Sequence, residues 1–285
     1  MNFRAMLAEP RARIAPAVFN PLCAKIAEAA GFDVLYLSAG ALGYVKCCLE
    51  ANLTLTELAQ AGLDIRAACR LPLILDGTCG FGDPMHLHHT VAVAEAAGFC
   101  AIEIEDQLLP KRAHHHIGIE HMIPLELMVA KVREAARARR DPDFVIIART
   151  NGVRAAGMDE ALRRAEAYRR AGADMLFVAP RNAAEARIIA ERLPPPFMFT
   201  VQGDGLQTYE GMKLPDFAAL GYRILAVTLP TFALHRAMQQ TYGALARGEP
   251  IPVLAGTTRK AEQAALHETI GLDRLLAVEK ATVEK

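Results

Sequence analysis

The sequence predicts a (β/α)8 TIM barrel of the α/β class with additional helices at its carboxyl end, and three observations predict it. Eight short apolar runs alternate with longer amphipathic segments, and continuously apolar strands separated by helices imply a parallel sheet covered by helices. Four joints share one pattern, a helix closing on glycine just before a strand: Ala30-Gly31-Phe32-Asp33, Ala97-Gly98-Phe99, Ala171-Gly172-Ala173-Asp174 and Leu220-Gly221-Tyr222. Glycine takes the left-handed cap conformation cheaply, so these are repeated helix-to-strand closures. Finally, no Gly-x-Gly-x-x-Gly follows the first strand, which favours barrel closure over an open doubly wound sheet.

In chain order the expected strands span 15–19, 34–38, 73–76, 101–105, 144–149, 175–179, 197–201 and 224–227. The helices between them are expected at 21–30, 56–69, 84–97, 125–139, 159–171, 183–192 and 214–220, and Pro194-Pro195-Pro196 is a stiff loop into strand seven. Beyond strand eight, 232–247 and 260–277 read as two more helices, separated by Gly248-Glu249-Pro250-Ile251-Pro252. No composition shift marks an internal boundary, so residues 1–285 are expected to form one barrel domain, with 230–285 as a helical extension.

The bulk numbers narrow the function classes. Lys plus Arg equals Asp plus Glu at 32 each, so nothing in the charge balance points to nucleic acid or an anionic membrane. The amino terminus lacks the apolar core of a signal peptide, and no apolar run is long enough to span a bilayer. Six cysteines without a CxxC, including the adjacent Cys47-Cys48, read as reduced thiols and a cytoplasmic setting.

Chemistry in a parallel barrel sits at the carboxyl ends of the strands. Those ends read Ser38-Ala39-Gly40, Asp76-Gly77-Thr78, Glu103-x-Glu105-Asp106, Arg149-Thr150-Asn151 and Gln202-Gly203-Asp204. Apolar strands ending in several acids and one arginine make a polar, anionic pocket with a single built-in cation, and such a carboxylate density wants a cation partner. Oxygen-only ligands favour Mg2+ or Mn2+ over zinc. Arg149 would then grip a substrate carboxylate through its planar fork. Taken one at a time, the same residues also read as caps and satisfied rim charges. Glu103 shares the inward face of Glu105 and receives no role.

Several motifs carry a family likeness: Asp76-Gly77-Thr78-Cys79-Gly80-Phe81-Gly82-Asp83, Glu105-Asp106-Gln107-Leu108-Leu109-Pro110-Lys111-Arg112, Asp143-Phe144-Val145-Ile146-Ile147-Ala148-Arg149-Thr150, and Gly157-Met158-Asp159-Glu160-Ala161. In this order and spacing the chain resembles the isocitrate lyase/phosphoenolpyruvate mutase superfamily over nearly its whole length. The resemblance implies Mg2+ (or Mn2+) near Asp76 and Glu105, with Thr78 acting through water. It also implies a turn at Ser38, Ala39 and Gly40 that holds the substrate carboxylate together with Arg149. A mobile gate at 110–123 would close over the substrate, and the tail helices would be exchanged between subunits of a homotetramer.

Three departures matter. Ala113 stands where the family's lyases place the proton-donating cysteine of the gate. Thr78 replaces the second Asp of the metal motif. The stretch Gly43–Asn52 lacks the usual acid, unless Glu50 supplies it. The gate instead carries His114-His115-His116 and His121. Imidazole titrates near neutrality, so Lys111, His115 and His116 are the candidates for proton transfer, the other readings of the histidines being a metal site and a solvated loop. His86, His88 and His89 read as a solvated helix surface, and Cys79 as a small packed residue. The implied activity is a Mg-dependent carbon–carbon lyase or decarboxylase of a small 2-oxo or 2-hydroxy di- or tricarboxylic acid, working through an enolate. Phosphonopyruvate-type mutase or hydrolase chemistry, and a catalytically weakened barrel that binds a ligand, are the alternatives.

Overall fold

Eight parallel strands close into a barrel in chain order, with β8 hydrogen-bonded back to β1. They are β1 (Arg13–Val18), β2 (Leu35–Leu37), β3 (Leu73–Asp76), β4 (Ala101–Glu105), β5 (Val145–Thr150), β6 (Met175–Val178), β7 (Phe197–Thr200) and β8 (Tyr222–Val227). The structure is a computed structural model that describes residues 2–201, 203 and 205–284. Every expected strand is present, β3 and β4 with the expected bounds and the others with ends shifted by no more than two residues. Strands β2, β3, β4 and β6 are buried at every position, as a sheet covered on both faces requires.

The helices up to β5 are α1 (Phe3–Ala8), α2 (Pro21–Ala29), α3 (Ala39–Val45), α4 (Leu55–Ala68), α5 (Leu87–Ala96) and α6 (Leu125–Ala138). After β5 come α7 (Gly152–Ala156), α8 (Met158–Ala171), α9 (Ala183–Arg192), α10 (Leu214–Ala219), α11 (Leu229–Arg247), α12 (Arg259–Ile270) and α13 (Leu272–Thr282). The four glycine joints behave as expected: Gly31, Gly98, Gly172 and Gly221 all adopt positive φ, from 81° to 114°.

Three short helices were not foreseen. Helix α1 plugs the amino-terminal end of the barrel with buried Phe3, Met6 and Leu7. It is tied there by Arg13, whose Nη1 donates to the Met6 carbonyl at 3.1 Å, and by Arg223, whose Nε donates to the Leu7 carbonyl at 3.3 Å. Helices α3 and α7 follow β2 and β5 directly and shape the opposite, functional end.

The expected helix at 260–277 requires correction. It is two helices, because Gly271 sits at φ 72° between α12 and α13 and closes the first with a left-handed cap. Neither helix has a buried residue, and Leu266, Ile270, Leu275, Leu276 and Val278 are exposed. No helix among the described residues is long and apolar enough to cross a membrane.

Register places the functional side chains. Across β3 and β4, Asp76 stands opposite Glu103, and across β4 and β5, Glu105 stands opposite Arg149. Side chains alternate along a strand, so Glu103 and Glu105 both point into the barrel while Asp106, just beyond, points outward. The close approach of β3 to β4 at this level needs Gly77, because a Cβ there would lie 2.6 Å from the Glu103 carbonyl.

Candidate active site

Glu103, on β4 below Glu105, is fully buried at the carboxyl end of the barrel. The Tyr36 hydroxyl donates to its Oε2 at 2.8 Å and Arg149 Nη1 donates to its Oε1 at 2.8 Å. Burial, reinforced by Asp76 and Glu105, pushes Glu103 up to about 8 against the pull of Arg149. One level higher, Glu105 Oε2 accepts from Asn151 Nδ2 at 3.0 Å and lies 3.3 Å from Arg149 Nε, while Oε1 pairs with the Lys111 ammonium. Burial works against its charge, but Lys111 and Arg149 outweigh it and hold Glu105 well below the usual carboxylate range.

Arg149 is therefore the hub of the floor. Its guanidinium also lies 4.7 Å over the Phe177 ring, a favourable placement for a cation on a π face. Among the described residues its Nη2 makes a single long contact of 3.3 Å, to Asn151 Oδ1.

Asp76 is buried beside this pair. Its Oδ2 accepts from the Ala39 amide at 3.0 Å and its Oδ1 from the Thr78 amide at 3.1 Å, and burial together with Glu50 raises its pKa. Thr78 sits at φ 47°, uncommon for a β-branched residue, pinned by Asp76 on one side and by Glu105 N, which donates to its carbonyl at 2.8 Å, on the other. The Ser38 hydroxyl caps α3 by accepting from Ala41 N at 3.2 Å. Of the turn 38–40, Ser38 and Gly40 line the cleft, whereas the Ala39 amide is committed to Asp76.

Above this floor lies the gate. Its neck is an antiparallel bridge between Gln107 and Met122, with Leu108 N donating to His121 O at 2.7 Å and Ile123 N to Asp106 O at 2.9 Å. A 3-10 turn at Ala113–Ile117 carries the histidines. Lys111 descends to pair with both Glu50 and Glu105 and is 5% exposed; burial opposes its charge, yet these two carboxylates raise its pKa.

His115 Nδ1 lies 3.0 Å from both oxygens of Glu120, and its Nε2 is directed toward Glu50 Oε1 at 3.9 Å. Glu120, its side chain fully buried, also takes Gln107 Nε2 at 2.5 Å and pairs with Arg154. His116 Nδ1 is 3.1 Å from the Tyr44 hydroxyl, and burial lowers its pKa. His114 and His121 face each other at 2.9 Å, exposed, on the outside of the gate. His88 meets Glu134 on the surface at 3.0 Å, and burial pushes the Cys79 thiol up to about 12.

The cleft so formed has a volume of about 280 Å³ and is bordered by Ser38, Glu50, Asp76, His115, His116 and Arg149. Glu50 enters from the 3-10 turn Glu50–Asn52 and brings an acid to the wall that the stretch after β2 had left open. Gln202 and Asp204, also expected at a strand end, lie outside the described residues. Sequence reading placed Glu103 inward without a role and did not anticipate Tyr36, Glu120 or Arg154; the partners of these four lie between 5 and 67 residues away along the chain. Asp106, by contrast, is structural: it takes the Thr150 and Tyr168 hydroxyls at 2.7 and 2.8 Å, Asn151 N at 3.0 Å and Arg164 Nη1 at 3.2 Å.

The family model described as phosphoenolpyruvate phosphomutase matches residues 3–246. The chain belongs to the phosphoenolpyruvate mutase/isocitrate lyase superfamily. It is an enzyme. Among its relatives is a probable 2-methylisocitrate lyase of Corynebacterium glutamicum, 36% identical over 86% of this chain and 79% of that protein. The 2,3-dimethylmalate lyase of Eubacterium barkeri is 31% identical over 98% of this chain and 96% of its own. An oxaloacetate decarboxylase of a Marinomonas species is 32% identical over 97% and 93%. The solved structure of a phosphonopyruvate hydrolase in complex with oxalate and Mg2+ superimposes with a TM-score of 0.82 at 29% identity, covering 100% of this chain and 98% of that one.

Whether this superfamily member suits a magnesium ion can be judged from its own donors. Glu50, Asp76, Glu103, Glu105 and Glu120 outnumber Lys111, Arg149 and Arg154 by two around the cleft. Burial is the first cause of the raised pKa values of Asp76 and Glu103, and the neighbouring carboxylates add to it. Among the described residues no three His, Cys, Asp or Glu side chains form a ready-made cage. Magnesium does not need one, since it is held by one or two carboxylates with waters and substrate completing the shell. The residues fit the ion.

Proposed function

We propose that this chain is a Mg-dependent carbon–carbon lyase or decarboxylase of a small 2-oxo or 2-hydroxy di- or tricarboxylic acid. The observation that carries the reading is one cleft that brings an all-oxygen acidic wall, the Arg149 guanidinium and the Nε2 face of His115 together. Two curated relatives named as lyases and one named as an oxaloacetate decarboxylase support it.

Asp76 and Glu105 would hold the ion, with Thr78 acting through water. When bound, magnesium supplies positive charge that stabilises the negative charge developing on substrate oxygens. Ser38 and Gly40 border the place for the substrate's acid end, and Arg149 Nη2 has the capacity to take a carboxylate oxygen. Breaking the carbon–carbon bond leaves an electron pair on carbon as an enolate, and that carbon takes a proton. Lys111 is held in its charged form by two carboxylates and so contributes charge. His115, with Nδ1 against Glu120, presents Nε2 to the cleft as the proton donor, and His116 stands beside it. The gate histidine thus takes the place of the thiol that Ala113 lacks.

The whole chain is read as one barrel unit. The bare apolar faces of α12 and α13 support a homotetramer that exchanges this tail, checked by light scattering on the purified protein. Six free thiols support a cytoplasmic setting.

The test is pyruvate release from oxaloacetate, 2-methylisocitrate, 2,3-dimethylmalate and phosphonopyruvate, with and without EDTA. Release from one of the carbon acids, abolished by EDTA, is expected. Release from phosphonopyruvate alone would move the enzyme to phosphorus–carbon chemistry, and magnesium binding with silence on every acid would leave a ligand-binding barrel.

A further inference from the structure

Beside the main cleft, and continuous with it through Arg149, Arg154 and Thr200, lies a second cavity of about 90 Å³ that extends to Arg181 and Ala179 at the end of β6. A space of that size holds several waters, and hence the carboxylate of one acid arm. Three arginines border it, and none of the described residues bordering it is acidic.

Each arginine is fixed by a carboxylate set outside the cavity. Arg154 Nη2 pairs with Glu120, and Arg181 is gripped by Glu185 through Nε at 2.8 Å and through Nη2. Glu185 is itself oriented by the Arg181 amide at 2.7 Å and by the start of α9. Among the described residues, Arg154 Nε and Nη1 and Arg181 Nη1 make no hydrogen bond. Guanidinium groups held from behind, with donors left over, are pre-organised for an incoming carboxylate.

We propose that this cavity is the subsite for a second substrate carboxylate and that it keeps that carboxylate bound throughout the reaction. The proposal rests on the cleft being a lyase or decarboxylase site, and it chooses between the two. A carboxylate that leaves as carbon dioxide loses its charge in the transition state, so arginines holding it would stabilise the substrate more than the transition state and slow the step. A carboxylate that stays on the departing fragment keeps its charge. The bond broken therefore lies between the two acid ends of a 2-hydroxy diacid. The hydroxyl O–H and the C2–C3 bond break, C2 becomes the ketone of a 2-oxo acid, and the electron pair left on C3 takes a proton, giving a second carboxylic acid.

The experiment is calorimetric binding of oxalate and of malate in the presence of magnesium, to the wild type and to the Arg181→Gln and Arg181→Lys variants. On the proposal, oxalate occupies the main cleft alone, whereas malate places its second carboxylate in the side cavity. Arg181→Gln should weaken malate about tenfold, the loss of one charge-assisted contact, while oxalate changes by less than about twofold and Arg181→Lys recovers part of the loss. Equal malate affinity in wild type and Arg181→Gln, or equal weakening of both ligands, overturns the subsite. Malate binding that depends on Arg181, with no oxalate binding to the wild type, supports the subsite and counts against the metal-centred reading of the cleft. Failure of both ligands to bind the wild type overturns both.

Discussion

The ends of β3 and β4 carry Asp76 and Glu105, with Glu50 reaching across from the segment after β2, whereas the ends of β5 and β6 carry Arg149, Arg154 and Arg181. The two halves of the barrel mouth differ in how their charge is balanced. On the acidic side the carboxylates crowd one another, and burial and mutual repulsion raise the pKa of Asp76. On the basic side Arg154 and Arg181 each have a carboxylate behind them, Glu120, which also holds His115 and Gln107, and Glu185. One half is short of cations and the other is already neutralised yet keeps spare donors. A mouth built this way can recruit a metal on one side and orient acid groups on the other without either half unfolding the other.

Arg149 lies on the seam, so its removal should do the most damage. Arg149→Met would leave Glu103 and Glu105 without their shared partner, costing about 3 kcal/mol of stability by urea denaturation and about a thousandfold in turnover. Arg149→Lys should fall between, because an ammonium cannot serve Glu103, Glu105 and Asn151 from one plane. Near-normal stability in Arg149→Met would show that the two halves are independent.

His115→Ala probes the gate over the acidic half. Turnover should drop about a hundredfold, the usual scale for losing a general acid, with little change in melting temperature because Glu120 keeps Arg154 and Gln107. Unchanged turnover would remove His115 as the proton donor.

The smallest effect belongs to the outer rim of the acidic side, where the Lys46 hydrogen bond and the Thr54 amide lower Glu57 to about 2. A depressed carboxylate stabilises the fold above its unfolded pKa and loses that contribution as pH falls. The melting temperature of the wild type should therefore decline slightly faster than that of Glu57→Gln between about pH 5 and pH 2. Parallel curves would show that this exposed pair contributes nothing.

The barrel was legible because its signals are local: each strand is a run of apolar neighbours, and each joint ends on a glycine whose positive φ its own position demands. The failures were local too. The six residues of α1 are too short to show a period, and Gly271 inside an apolar pattern looks like a tolerated interruption until its φ of 72° makes it a break. In the candidate site, alternation along β4 put Glu103 and Glu105 on one face, but it could not reveal that Tyr36 and Arg149 meet Glu103 from 67 and 46 residues away. Arg154 and Arg181 sit just past strand ends in helix-forming sequence, where an arginine looks like ordinary surface. Their shared cavity exists only once β5 and β6 are side by side.

The neck of the gate has a consequence of another kind. Gln107 and Met122 bridge, Leu108 and His121 bond, and Ile123 is tied to Asp106, which is itself anchored to α8 through Tyr168 and Arg164. Everything between those bonds hangs from a fixed ring and meets the barrel beneath it through Lys111 at Glu50 and Glu105 and through Glu120 at Arg154. Such a segment behaves as an interchangeable part. A change of length or of side chains between its two fixed ends would alter the groups set over this mouth and leave the frame beneath in place.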